Sequence, residues 1–204
     1  MNLYKQLSTS ATNFFIKNGT ISTEKKDVYA YGFEILISTI VYTGIFLMTA
    51  FITDTFLLSI VFWIGFYIVR TIAGGYHAKT YIACHLLFMC NHLLFIIILK
   101  TRPTEFDSYI ALGLFIVSAV TLILFAPVEH PNKPFIKTEK KRFRKLSCFY
   151  SIFVIIIGII FLIINDITFN QCVLGFAFGT FSAATALTIA KLKYKKEVIN
   201  YENG

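Results

Sequence analysis

Charge is scarce in this sequence. Only 15% of its 204 residues are Asp, Glu, Lys or Arg, whereas a soluble domain carries about a quarter. With 56% hydrophobic residues and a mean hydropathy of +0.70, too few polar groups remain to cover a water-facing surface. That shortage excludes an ordinary soluble globule and points to an integral membrane protein. Cysteine is also sparse. Cys84, Cys90, Cys148 and Cys172 fall in or beside apolar runs without the spacing of a secreted disulfide framework, so each reads first as a small hydrophobe. The start, MNLYKQLSTSATNFFIKNGT, has no continuous apolar stretch followed by a small-residue cleavage site, which speaks against a cleavable signal peptide. A Walker-type glycine loop is missing, so nothing calls for a nucleotide. So is a basic groove interleaved with stacking aromatics, and the net charge of +8 therefore does not indicate nucleic acid.

What is present is a series of apolar runs, at approximately 28–52, 55–73, 81–99, 108–127, 147–164 and 171–190. A hydrocarbon layer about 30 Å thick takes about 20 helical residues to cross, and lipid cannot hydrogen-bond a bare backbone. The expected fold is an all-α integral membrane protein of about six hydrophobic helices, with room for a re-entrant piece, in a single domain over 1–204. Its parts are an interfacial amphipathic helix at 1–18, a transmembrane bundle at 28–190 and a basic cytoplasmic tail at 191–204. In the first segment Leu3, Leu7, Ala11 and Phe14 recur at helical spacing, which suits either a helix lying on the membrane or an ordinary packed one. Only NDITFN separates the last two runs, so they should form an antiparallel hairpin. Gly175, Gly179 and Ala183 make a small-residue line, either for packing within the monomer or for a dimer face.

Basic residues cluster at alternate ends of the runs. Seventeen lysines and arginines fall on one side and two on the other. The positive-inside rule then makes both termini and the His77 region cytoplasmic, with the same residues available to anionic membrane lipids.

Ionisable residues inside spans are costly and therefore candidates for function. Glu34 and Arg70 would meet at similar depth if the first two runs packed antiparallel; otherwise each reaches headgroups or water separately. His85, Asn91 and His92 lie in the third run. His85 and His92 are seven residues apart, too far along a helix to share a metal ion, so no metal site is expected and polar contacts between helices explain them better. GGYHAKTYIAC, residues 74–84, combines a potential base, His77, with a potential nucleophile, Cys84. A histidine can take a thiol's proton, but seven helical residues would hold the two about 10 Å apart. A catalytic pair therefore requires the chain to fold back after Gly74 and Gly75. The plain alternative is a buried cysteine and an interfacial histidine.

The stretch RTIAGGYHAKTYIAC at Arg70–Cys84, then APVEHPNKP at Ala126–Pro134, then a basic loop before the fifth apolar run resembles the accessory gene regulator protein B (AgrB) family. These are integral-membrane cysteine endopeptidases of Gram-positive quorum sensing. The resemblance implies catalytic roles for Cys84 and His77, and it matches the family's motif at Arg70, Gly75 and Ala78. Tyr81 stands where some relatives carry a small hydroxyl residue, and no third catalytic residue transfers. It further implies a propeptide substrate with an amphipathic leader and an acidic C-terminal tail (AgrD-like), cleaved and closed into a ring without a cofactor, and a homodimer. Lys133, Lys137, Lys140 and Lys141 would either hold that tail or serve only orientation and lipid contact, and Glu129 would approach the site from the end of the fourth run. A small peptide transporter or channel, or a non-enzymatic membrane scaffold, is the competing reading; the absence of an internal repeat counts against transport.

Overall fold

In the computed structural model the described residues are 3–73, 81–128, 135–164 and 166–202, those at 3, 81–84 and 193–202 by backbone alone. Among them every regular element is a helix. These are α1 (Leu3–Lys17), α2 (Lys26–Ile52), α3 (Phe56–Ala73), α4 (Tyr81–Thr101), α5 (Asp107–Phe125), α6 (Lys137–Ile164) and α7 (Ile167–Glu202), with short 3-10 turns at Thr23–Lys25 and Thr104–Phe106. Five of them, α2, α3, α5, α6 and α7, are long and apolar enough to cross a bilayer, and the apolar stretch His85–Thr101 of α4 is shorter. The chain is a multi-pass all-α membrane protein.

The bundle is built around α7. In its most apolar stretch 61% of residues are buried, against 17–33% in the other spans. Small residues explain this. A Cβ added to Gly179 would overlap the Phe62 carbonyl oxygen of α3, and one on Gly65 would stand 2.5 Å from the Phe176 carbonyl oxygen of α7. The two backbones therefore touch, as small-residue helix faces permit in lipid. The Gly175–Gly179–Ala183 line is spent inside the monomer. The expected antiparallel α6–α7 hairpin forms: Asp166 opens α7 by capping Phe169 N–H at 3.1 Å, Phe161 meets Phe169 at 6.2 Å, and the Tyr150 and Thr180 hydroxyls lie 2.9 Å apart across it. Side chains make this contact, however, and the closer packing of α7 is along α3 and α5, while α6 packs on α5.

Held differently, α4 meets its neighbours through rings. Phe88 contacts Phe46 of α2 and Phe62 and Phe66 of α3, and Phe95 stacks on Phe62 at 5.3 Å. His92 is fully buried between Phe46 and Phe62, with Nε2 2.9 Å from Ser59 Oγ. Ser59 continues to Thr55 at 3.2 Å and Thr55 to Thr53 at 2.8 Å, so a file of hydroxyls leads from the α2–α3 turn to this histidine. Such bonding is what makes a buried polar group tolerable. His92 thus serves a contact between helices, as read from the sequence; Asn91 donates to Leu87 O of its own helix at 2.9 Å.

Of the two readings of the N-terminal segment, the structure shows the packed helix. After Lys17 the chain reverses with Gly19 at φ 71°, where Thr20 N–H bonds Phe15 O and Gly19 N–H bonds Ile16 O. That is the Schellman pattern of a helix end. It sends α1 back antiparallel along α2, with Phe15 stacked on Phe33 and Tyr4 close to Tyr42. Ser8 and Thr12 are buried, their hydroxyls satisfied within α1, while Leu7 and Phe14 are exposed.

A further correction concerns the basic segment. It is not a loop from 135 to 146: α6 opens at Lys137 and α7 runs on to Glu202. Lys, Arg, Glu and Leu are good helix formers, and Glu139 Oε2 accepts Ile136 N–H at 3.1 Å to close the start of α6.

Candidate functional site

At the basic end of the bundle, α3 closes with Arg70 in its last turn, where a cation suits the negative end of the helix dipole. Arg70 is half-buried and has an interaction partner. Three residues on, Ala73 is fully buried and its carbonyl accepts Val128 N–H at 3.0 Å. Val128 follows the cis Ala126–Pro127 bond at the end of α5. The Ala126 carbonyl in turn accepts Arg144 Nη1 of α6 at 2.6 Å. The two stretches singled out in the sequence, one starting at Arg70 and the other at Ala126, are therefore tied directly together, with α6 clamped on by an arginine. Ion–dipole bonds of this kind are stronger than neutral ones.

Cys84 lies in the first turn of α4, one turn before Phe88 in the helical register. His77, Gly75 and Ala78 of the linking segment lie outside the described residues, as do Glu129 and Lys133. The distance between Cys84 and His77 therefore stays an expectation. Next to Cys84, the His85 ring stacks on Tyr42 of α2 at 4.6 Å and 16°.

Glu34 is half-buried in α2 and also has an interaction partner. In the described residues α2 touches α3 only sparsely. An ion pair stands elsewhere: Arg102 Nη2 to Asp107 Oδ2 at 2.8 Å, with side chains 7% and 0% exposed. Burial pushes the Arg102 guanidinium down from its usual value and Asp107 pulls it back up; an arginine so shifted is still a cation. This pair joins the two ends of the α4–α5 connection at the opposite end of the bundle. Its signal in the sequence was an arginine and an aspartate flanking Pro103, where Arg102 had counted only toward topology.

Lys137, Lys140 and Lys141 stand exposed on the first turns of α6. Lys140, Lys141, Arg144, Lys145 and Cys148 share one open face of α6. Four cations on one helix face repel one another and attract an anion. Cys148, Cys90 and Cys172 are free thiols. No group of three or more His, Cys, Asp or Glu capable of holding a metal ion occurs among the described residues.

Residues 8–183 match the family model described as Accessory gene regulator B. An AgrB-like protein 2 of Clostridium perfringens (strain 13 / Type A) is 29% identical over 126 residues, covering 59% of this chain and 58% of that one. The Accessory gene regulator protein B of Staphylococcus epidermidis is 25% identical over 154 residues, covering 74% of this chain and 73% of its own. The chain thus spans just under three fifths of the length of the Clostridium relative. No solved structure matches.

Proposed function

Because the chain belongs to the accessory gene regulator B family, we propose that it processes a quorum-sensing propeptide as a membrane-embedded cysteine endopeptidase. His77 removes the Cys84 proton, and the thiolate attacks a backbone carbonyl of the propeptide. The C–N bond breaks, the proton passes to the leaving amine, and the acidic C-terminal segment departs. The upstream part stays as an acyl thioester on Cys84. A thiol or hydroxyl within that peptide then attacks the same carbonyl, re-forms the Cys84 thiol and releases a thiolactone or lactone ring. Exchange of one thioester for another is near neutral in energy, so no nucleotide is needed. Excluding water favours ring closure over hydrolysis, which is a reason to do this chemistry at a membrane edge.

The observation that carries this reading is the Val128–Ala73 hydrogen bond. It joins the opening residues of the two motif stretches, beside the seven-residue link that leads into the Cys84 turn. The basic face of Lys140, Lys141, Arg144 and Lys145, with Lys137 one turn earlier on α6, suits the acidic tail of an AgrD-like propeptide, and it suits anionic lipid headgroups. Arg70, Gly75, Ala78 and Glu34 support the site. The proposed topology puts both termini and the site on the cytoplasmic side of the bacterial membrane, in a homodimer, with 1–18 and 191–204 as parts of one membrane domain.

The test is purified protein in liposomes with the cognate propeptide, followed by mass spectrometry. A released C-terminal segment and an adduct on Cys84 are expected, and Cys84→Ala should lose both, a drop of at least about 10⁴-fold. Cleavage retained by Cys84→Ala would falsify the assignment. Intact peptide crossing the bilayer would support a transporter instead, and binding alone a scaffold.

A further inference from the structure

The first turn of α4 carries Cys84. From Phe88 onward α4 is packed, with Met89, His92, Phe95, Ile96 and Leu99 buried. Before Phe88, Leu86 and Leu87 are exposed, and a helix start has unsatisfied N–H groups and frays readily. Among the described side chains, His85 ties the start of α4 to α2 by stacking on Tyr42, at 4.6 Å and nearly parallel. Tyr42 lies on the length of α2 along which α1 packs, with Tyr4 in the first turn of α1 close enough to interact with it. Three helices thus converge on the residue adjacent to Cys84.

We propose that His85 and Tyr42, with Tyr4 behind them, are positioning residues that fix the helical turn presenting Cys84. This rests on Cys84 being the nucleophile. His85 is not a second base, since neighbouring residues on a helix point about 100° apart and do not face each other. What the stack fixes is the start of α4 against α2, and with it the approach of the thiol to a bound carbonyl. A planar ring suffices for that, so the imidazole nitrogens are dispensable. The device also gives α1 a part in the site: its first turn braces Tyr42 from the far side.

The experiment compares the full-length wild-type chain with His85→Ala, His85→Phe, Tyr42→Leu and the His85→Ala/Tyr42→Leu double variant, all in liposomes. Two quantities are read: propeptide cleavage as kcat/KM, and the rate of iodoacetamide addition to Cys84 across pH, quantified at that residue by mass spectrometry. Loss of the ring pair should lower kcat/KM about 2- to 12-fold, the range such pairs supply, mainly through kcat. His85→Phe should restore it to within about 2-fold. The double variant should be no worse than either single one, because both remove the same contact. His85→Phe as impaired as His85→Ala, or single losses that multiply in the double variant, would overturn the proposal. The alkylation arm needs no peptide. If no chain cleaves propeptide but Cys84 reactivity still follows the ring pair, the peptidase reading fails while the positioning role stands.

Discussion

Replacing Gly179 by alanine adds one methyl group to the most crowded contact in the bundle. That methyl would overlap the Phe62 carbonyl oxygen and lie 2.9 Å from both Phe62 C and Phe66 N. All three are backbone atoms of α3, so no side-chain rotation makes room. The helices must part, and Gly65 on the facing side, whose own added Cβ would be 2.5 Å from Phe176 O, leaves no slack to absorb the shift. Overpacking costs about 1–3 kcal/mol, and a contact between two backbones belongs at the top of that range. For a chain of this size that lowers the melting temperature by about 6–12 °C. Gly44→Ala is the control: nothing lies within 4 Å of its added Cβ, and an Ala in a helix gains up to about 1 kcal/mol over Gly. Thermal unfolding in detergent, followed by intrinsic fluorescence or by loss of the monodisperse peak, reads both variants. If Gly179→Ala melted within about 2 °C of Gly44→Ala, α3 and α7 would not be in backbone contact and the packing scheme would be wrong.

Two further outcomes follow from buried polar groups. Arg102→Leu alone should destabilise by about 3–5 kcal/mol because it strands the Asp107 carboxylate, whereas Arg102→Leu/Asp107→Leu should recover most of that loss; chemical unfolding of the three chains checks it, and equal losses would refute a buried pair. Ser59→Ala should cost about 1–3 kcal/mol by leaving His92 Nε2 without its partner. Adding His92→Phe, which keeps a ring between Phe46 and Phe62, should remove most of that cost, and a double variant weaker than Ser59→Ala would contradict the contact.

The number of helices was legible because each apolar run must satisfy its own backbone in lipid, and length alone then counts the crossings. Where α6 begins was not. Periodicity of apolar residues is blind to a helix such as Lys137–Lys145, whose residues favour the helix without an oily face. The glycine line in α7 announced a close approach but not its partner, since a small-residue stripe fits any helix that offers a groove; Gly65 supplied it on α3. His92 was legible as a polar residue needing a partner, and Ser59 as its partner was not, being 33 residues away. In the site, the kinship of the Arg70 and Ala126 stretches could be read from their residues. Their junction could not, because it runs through main-chain atoms of Ala73 and Val128 that any residue would carry. Tyr42 gave no signal at all, since a tyrosine among apolar residues looks the same whether it faces lipid or a ring.

The contrast between how α7 and α4 are seated bears on how such a chain can change over time. Atoms of the main chain meet across α3 and α7, so a side chain added at Gly65 or Gly179 must push the two helices apart, and that half of the molecule admits little change. Between α2 and α4 the spacing is set instead by the girth of two phenylalanines, Phe46 and Phe88, each open to exchange for another apolar residue. Altering one of them shifts α4 against α2 and leaves the α3–α7 contact in place. On the proposed reading, preference for one peptide over another can drift by single steps on a frame that does not move.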